Sequence, residues 1–198
     1  MKKRNTLIGL LLTLIPWNQA FLFKTVPIFA TSGLILAIPQ KVVAENALFY
    51  YKRGFDKHNK GDYLGSISDF TKVIELKPSD LLLAGTLHNR GLSKFNLKNY
   101  EGALKDFNKS IFYKSDFSVN VYVNRGNVKF ILEDNYGAIS DYTEAIKLNS
   151  NTHQAYKNRS LVKEKIGDFK GACIDAKKAV SLGNVDNRNI NWIKDTCN

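Results

Sequence analysis

Four arginines each precede an aspartate by sixteen residues: Arg53 and Asp69, Arg90 and Asp106, Arg125 and Asp141, Arg159 and Asp175. A guanidinium holds a carboxylate through two parallel charge-assisted hydrogen bonds. In a helical hairpin a separation of sixteen brings the facing sides of two helices together. Lys57, Lys94, Lys129 and Lys163 follow the arginines by four residues, on the same helical face, and extend the pairs into a charge ladder. Buried charges exist as satisfied pairs, so the reading is structural, with a ligand site as the alternative. Catalytic constellations are missing from the sequence. His58, His88 and His153 are scattered, and there is no Cys-x-x-Cys, no His-Glu-x-x-His and no phosphate-binding glycine loop. Glu133 and Asp134 are adjacent at an expected turn, which does not converge them on a substrate bond. The expectation is therefore no enzyme, no cofactor and no metal.

The elements that position these groups come from a repeat. Residues 47–80, 84–117, 119–152 and 153–186 align without internal gaps, with Leu81, Leu82 and Leu83 inserted after the first block and Ser118 after the second. Gly54, Gly91, Gly126 and Ser160 share the eighth place, and Ser66, Ala103, Ala138 and Ala172 the twentieth, where small side chains let helices approach. Large apolar groups recur at the fourth place (Tyr50, Leu87, Tyr122, Tyr156) and the twenty-fourth (Phe70, Phe107, Tyr142, with Ala176 departing). Ile67, Leu104, Ile139 and Cys173 follow the same rule, as do Ile74, Ile111, Ile146 and Val180. Spacings of three, four and seven make one apolar stripe per helix. Each block predicts two amphipathic helices joined by a turn such as Lys60-Gly61-Asp62. Residues 187–198 predict a capping helix with Ile190, Trp192 and Ile193 as its apolar side.

The pattern resembles the tetratricopeptide repeat, in a variant familiar from bacterial and especially cyanobacterial proteins. Its carriers are Lys52-Arg53-Gly54, Asn89-Arg90-Gly91, Asn124-Arg125-Gly126 and Asn158-Arg159-Ser160, with Gly61-Asp62-Tyr63 and Gly137-Ala138-Ile139-Ser140-Asp141-Tyr142. Asn135 departs where an aromatic is usual, and only the first block keeps a closing proline, Pro78. The resemblance implies an all-α, right-handed superhelical solenoid of four helix-turn-helix repeats with a C-terminal cap. It implies a concave groove lined by the first helix of each block, binding a protein or peptide partner. The groove places carried over are Tyr51, Phe55 and His58; His88, Leu92, Phe95 and Asn96; Asn120, Val123, Asn127, Phe130 and Ile131; Gln154, Lys157, Leu161 and Lys165. Apolar anchors and asparagine amides suit a partner helix or extended segment. The alternative is that Phe95 and Phe130 pack against neighbouring repeats. A clamp for the acidic tails of chaperones is disfavoured, because Tyr51 and Phe55 stand where it needs Lys and Asn, and Asn120 and Asn124 where it needs basic groups. Asn89 does match its place.

Composition sets the remaining bounds. A chain of 198 residues with 44% hydrophobic content buries a sizeable core. The net charge of +11 is concentrated at the start, since residues 1–44 carry five basic side chains and no acid. The rest, 24 basic against 18 acidic residues, is interspersed and gives no nucleic-acid footprint. Residues 1–44 read as a signal peptide: Lys2-Lys3-Arg4, apolar stretches at 7–15 and 26–38, and a cut after Ala44 that leaves 45–198 as the folded domain. The alternative is an uncleaved leader that anchors the chain to a membrane. Export to a periplasm or thylakoid lumen is expected. Cys173 and Cys197, each twelve residues from Val185, then meet across an antiparallel turn as a disulfide, two free thiols being the alternative. Partner identity, pathway and oligomeric state are not encoded in these motifs.

Overall fold

A computed structural model describes residues 40–113, 119–183 and 187–197. Four helical hairpins follow one another: α1 (Gln40–Asn59) with α2 (Tyr63–Glu75), α3 (Asp80–Asn96) with α4 (Tyr100–Tyr113), α5 (Val119–Ile131) with α6 (Asn135–Leu148), and α7 (His153–Lys165) with α8 (Phe169–Ser181). A last helix, α9 (Asn187–Thr196), packs on α8. Each helix packs on the next in sequence, while α1, α3, α5 and α7 also touch one another, which makes them the inner layer of the stack. No helix among the described residues is long and apolar enough to cross a membrane.

One turn chemistry is used four times. Gly61, Lys98, Glu133 and Gly167 take φ of 82, 59, 66 and 85°, the left-handed region. The next residue then donates its N–H back to the carbonyl of Lys57, Lys94, Lys129 or Lys163 at 2.8 to 2.9 Å, which closes the inner helix. That same residue, Asp62, Asn99, Asp134 or Asp168, accepts the N–H of Gly65, Gly102, Gly137 or Gly171 at 2.9 Å and caps the outer helix. Each cap is worth about 1 kcal/mol.

The eighth and twenty-fourth places fit each other as void and ring. A Cβ built on Gly91 or Gly126 would lie 2.7 Å from the ring of Phe107 or Tyr142, and one on Gly54 would lie 3.0 Å from Phe70. Those rings are 0 to 1% exposed. In the last hairpin both partners change together: Ala176 removes the ring, and Ser160 fills the space and donates to the Ala172 carbonyl at 2.9 Å. Core clusters cross repeat boundaries, with Phe107 beside Val121 and Val128, and Tyr142 beside Ala155 and Val162.

Two helices are longer than the repeat requires. Leu81, Leu82 and Leu83 lengthen the start of α3 rather than a loop, as strong helix formers do. Helix α1 starts at Gln40, so the expected cut between Ala44 and Glu45 falls within a helix. The leader up to Pro39, the end of the second repeat beyond Tyr113, the link at Val185 and the side chain of Ile190 lie outside the described residues.

Candidate functional site

The charge ladder is built from both helices of every hairpin. Arg53, Arg90, Arg125 and Arg159 donate from Nε to Oδ2 of Asp69, Asp106, Asp141 and Asp175 at 2.7 to 2.8 Å. Their Nη2 groups donate to Oδ1 at 2.6 to 2.8 Å. Lys57, Lys94, Lys129 and Lys163 reach the same carboxylates at 2.7 to 2.9 Å. The aspartates are 1 to 3% exposed. Hydrogen bonding from Arg53, which outweighs the opposing effect of burial, brings the Asp69 carboxyl down to about 2. Sequence reasoning missed the third contact. Nη1 of Arg90, Arg125 and Arg159 donates to Thr71, Asn108 and Thr143 of the preceding hairpin at 2.8 to 3.0 Å. Arg53, in the first of the described hairpins, is 41% exposed, against 15 to 17% for the others. Arg90, Arg125 and Arg159 are thus engaged in binding repeats to one another.

A second ladder, also missed, runs along the inner helices. Asn89 Nδ2 donates to Tyr51 Oη at 2.9 Å, and Asn124 Nδ2 meets His88 Nε2 at 3.0 Å. At the third junction Val123 offers no acceptor, and Asn158 Nδ2 donates instead to Asn127 Oδ1 at 2.7 Å. Tyr142 Oη donates to that same oxygen at 2.8 Å. The Asn repeated before Arg90, Arg125 and Arg159 was the available signal. His88 packs beside Phe107, and burial, with a smaller contribution from His58, lowers its pKa to about 4. His58 is lowered by burial as well and lies 2.8 Å from the Ser93 hydroxyl.

Several groove residues are therefore committed to the fold. Val123 is corrected from a partner contact to a core residue: it is 5% exposed, in the cluster with Tyr142 and Ala155. Tyr51 and His88 serve the Asn ladder, and Leu92 packs on the second core cluster. Phe95 also packs there, edge-on to Tyr100 at 5.6 Å. Phe55 and Ile131 are exposed, at 45 and 42%, as are Asn96, Asn120 and Gln154, while Lys157 is half-buried. Lys165 pairs with Glu133 at 2.7 Å and places its ammonium 4.9 Å from the Phe130 ring centre.

The structure does bring one group together. Phe95, Asn127, Phe130, Ile131, Gln154, Asn158 and Leu161, from the inner helices of the second to fourth hairpins, and Tyr142 of α6 line a cavity of about 310 Å³. In the first two hairpins the ring of Tyr63 or Tyr100 covers the inner-helix ring of His58 or Phe95. Asn135 replaces that aromatic in the third hairpin, and its Oδ1 is buried without a hydrogen-bond partner. At the far end Cys173 and Cys197 are joined as a disulfide with Cα atoms 5.5 Å apart, and Lys177 donates to the Cys197 carbonyl at 3.0 Å. No cluster of His, Cys, Asp and Glu placed to hold a metal occurs among the described residues.

Stacked hairpins with an inner and an outer helix define a helical-repeat solenoid. The family profile described as tetratricopeptide repeat matches residues 119–152. Among solved structures, that of MamA protein aligns at 25% identity and a TM-score of 0.69, covering 75% of this chain and 79% of that one. MamA from Desulfovibrio magneticus RS-1 aligns at 14% identity and a TM-score of 0.70, covering 78 and 85%. The first repeat domain of Spaghetti (RPAP3), bound to the HSP90 peptide SRMEEVD, aligns at 20% identity and a TM-score of 0.56, covering 59 and 92%. None of the curated proteins matches the chain. The chain has the all-α, right-handed superhelical architecture of tetratricopeptide-repeat structures.

Proposed function

We propose that this protein is a binding scaffold that holds an extended segment of a partner protein on its inner face, at the cavity beside Phe130. The observation that carries this reading is the cavity itself, in which apolar side chains (Phe130, Ile131, Leu161) stand beside the carboxamides of Asn127, Gln154 and Asn158. Apolar side chains of a partner give affinity in such a site, and carboxamides bond its main chain. The RPAP3 domain, which holds an acidic HSP90 peptide, is a precedent for peptide binding by this fold. The acidic-tail clamp does not transfer, because Tyr51 and Phe55 occupy the first-repeat places where it needs Lys and Asn. Export of the chain belongs to the same proposal, supported by the basic, apolar start of the sequence and by the disulfide, a bond that persists in oxidising compartments.

The test is cross-linked affinity capture from native exported and membrane fractions with wild type, Ile131→Glu and, on the outer helix α6, Tyr136→Glu. Partners lost with Ile131→Glu and kept with Tyr136→Glu support the inner face. Partners kept by both variants refute it.

A further inference from the structure

The overhangs of α1 and α3 build a second, larger cleft. A cavity of about 820 Å³ lies between them, walled by Val43 and Leu48 of α1 and by Leu81 and Leu82 of α3. Leu48 and Leu81 are 48 and 50% exposed. The α3 wall comes from the Leu81-Leu82-Leu83 insertion, a departure from the 34-residue period that the stacking of the hairpins does not require. Among the described residues, the charged members of the lining are Lys41 and Lys77, with no carboxylate beside them. Glu45 and Asp80, nearby in sequence, are outside the lining.

We propose that, in the chain that keeps its leader, this cleft docks an amphipathic helix of a partner protein, with its apolar stripe against Leu48, Leu81 and Leu82 and its acidic side chains toward Lys41 and Lys77; a cut after Ala44 would remove Lys41 and Val43 and with them the site. Two adjacent helices with apolar walls offer the groove into which the ridge of a third helix packs. The paired lysines set the charge of what enters, since opposite charge across an interface selects partners and like charge rejects them. This cleft shares no lining residue with the Phe130 cavity, so either site can fail without the other.

The experiment uses the full-length chain and two labelled probe peptides in fluorescence anisotropy. One probe is an amphipathic helix with a leucine stripe flanked by two glutamates, and the other has lysines at those two places. The acidic probe is expected to bind about tenfold tighter at low salt, with the preference shrinking as salt rises. Leu81→Glu removes binding of both probes, and the double variant Lys41→Glu, Lys77→Glu reverses the preference, which an unfolded chain would not do. Equal affinity for the two probes, binding of neither, or an unchanged preference in the charge-reversed chain overturns the proposal. So does sedimentation of the wild type as a dimer that Leu81→Glu returns to monomer, because the cleft would then belong to a second copy.

Discussion

Replacing Arg125 with alanine separates the arginine ladder's two functions. The substitution removes both bonds to Asp141 and the bond from Nη1 to Asn108 of the preceding hairpin. Asp141 is 3% exposed, so it cannot recover its solvation from water. Losing the partner of a buried charge costs about 3 to 5 kcal/mol. Lys129 stays within 2.9 Å of Oδ2, which moves the expectation to the lower end, about 3 kcal/mol. Arg53→Ala is the comparison: it also strands a buried carboxylate, Asp69 at 1% exposure, but among the described residues Arg53 bonds within its own hairpin alone, so a loss smaller by about 1 kcal/mol, the worth of the bond to a neighbouring hairpin, is expected. Urea unfolding followed by circular dichroism reads both. With a slope of about 2 kcal/mol per molar, the Arg125 midpoint drops by roughly 1.5 M at an unchanged slope. A midpoint for Arg125→Ala within 0.3 M of wild type, or a larger loss for Arg53→Ala, would refute the claim that these arginines bind repeats together.

Gly126→Ala places a methyl 2.7 Å from the Tyr142 ring and costs about 1 to 3 kcal/mol. In a Tyr142→Ala background, the combination nature uses at Ser160 and Ala176, the cost falls below about 0.5 kcal/mol in a double-mutant cycle. Asn135→Tyr removes an unpartnered buried oxygen and restores the ring found in the other hairpins; it raises stability by about 1 kcal/mol, read by urea unfolding. Acid weakens the fold in two windows. The His88 pKa is depressed to about 4, so the unfolded chain takes up more protons from pH 6.5 down to 4, and His88→Gln flattens that part of the stability profile. The Asp69 carboxyl, held near 2, withdraws its contribution below pH 4. Reduction of Cys173–Cys197 opens a closure of 24 residues, worth about 3 kcal/mol, and hydrogen exchange accelerates in α9 before α5 or α6.

The fold is legible because one constraint recurs in the sequence four times. Small residues at the eighth and twentieth places and a stripe at three, four and seven state the hairpin and its stacking together. The inner face is less legible, because a helix position states which way a side chain points and not how far the next repeat covers it. Val123 and Asn127 are one helical turn apart, yet Val123 is sealed by the fourth hairpin while Asn127 lines the cavity. The contacts of Nη1 with Thr71, Asn108 and Thr143 were hidden for a related reason: three polar residues on outer helices carry no charge signal until the hairpins stack. Asn135 was visible as a departure, but only the structure shows that its Oδ1 is left buried and unpartnered.

Site-specific photo-cross-linking tests the central claim most directly. A benzophenone amino acid replaces Ile131 on the inner face or Tyr136 on the outer helix α6, at 42 and 77% exposure. Irradiation in the native cell is predicted to join a discrete partner to position 131 and none to position 136. Cross-links at 136 with none at 131 would contradict an inner-face binding site.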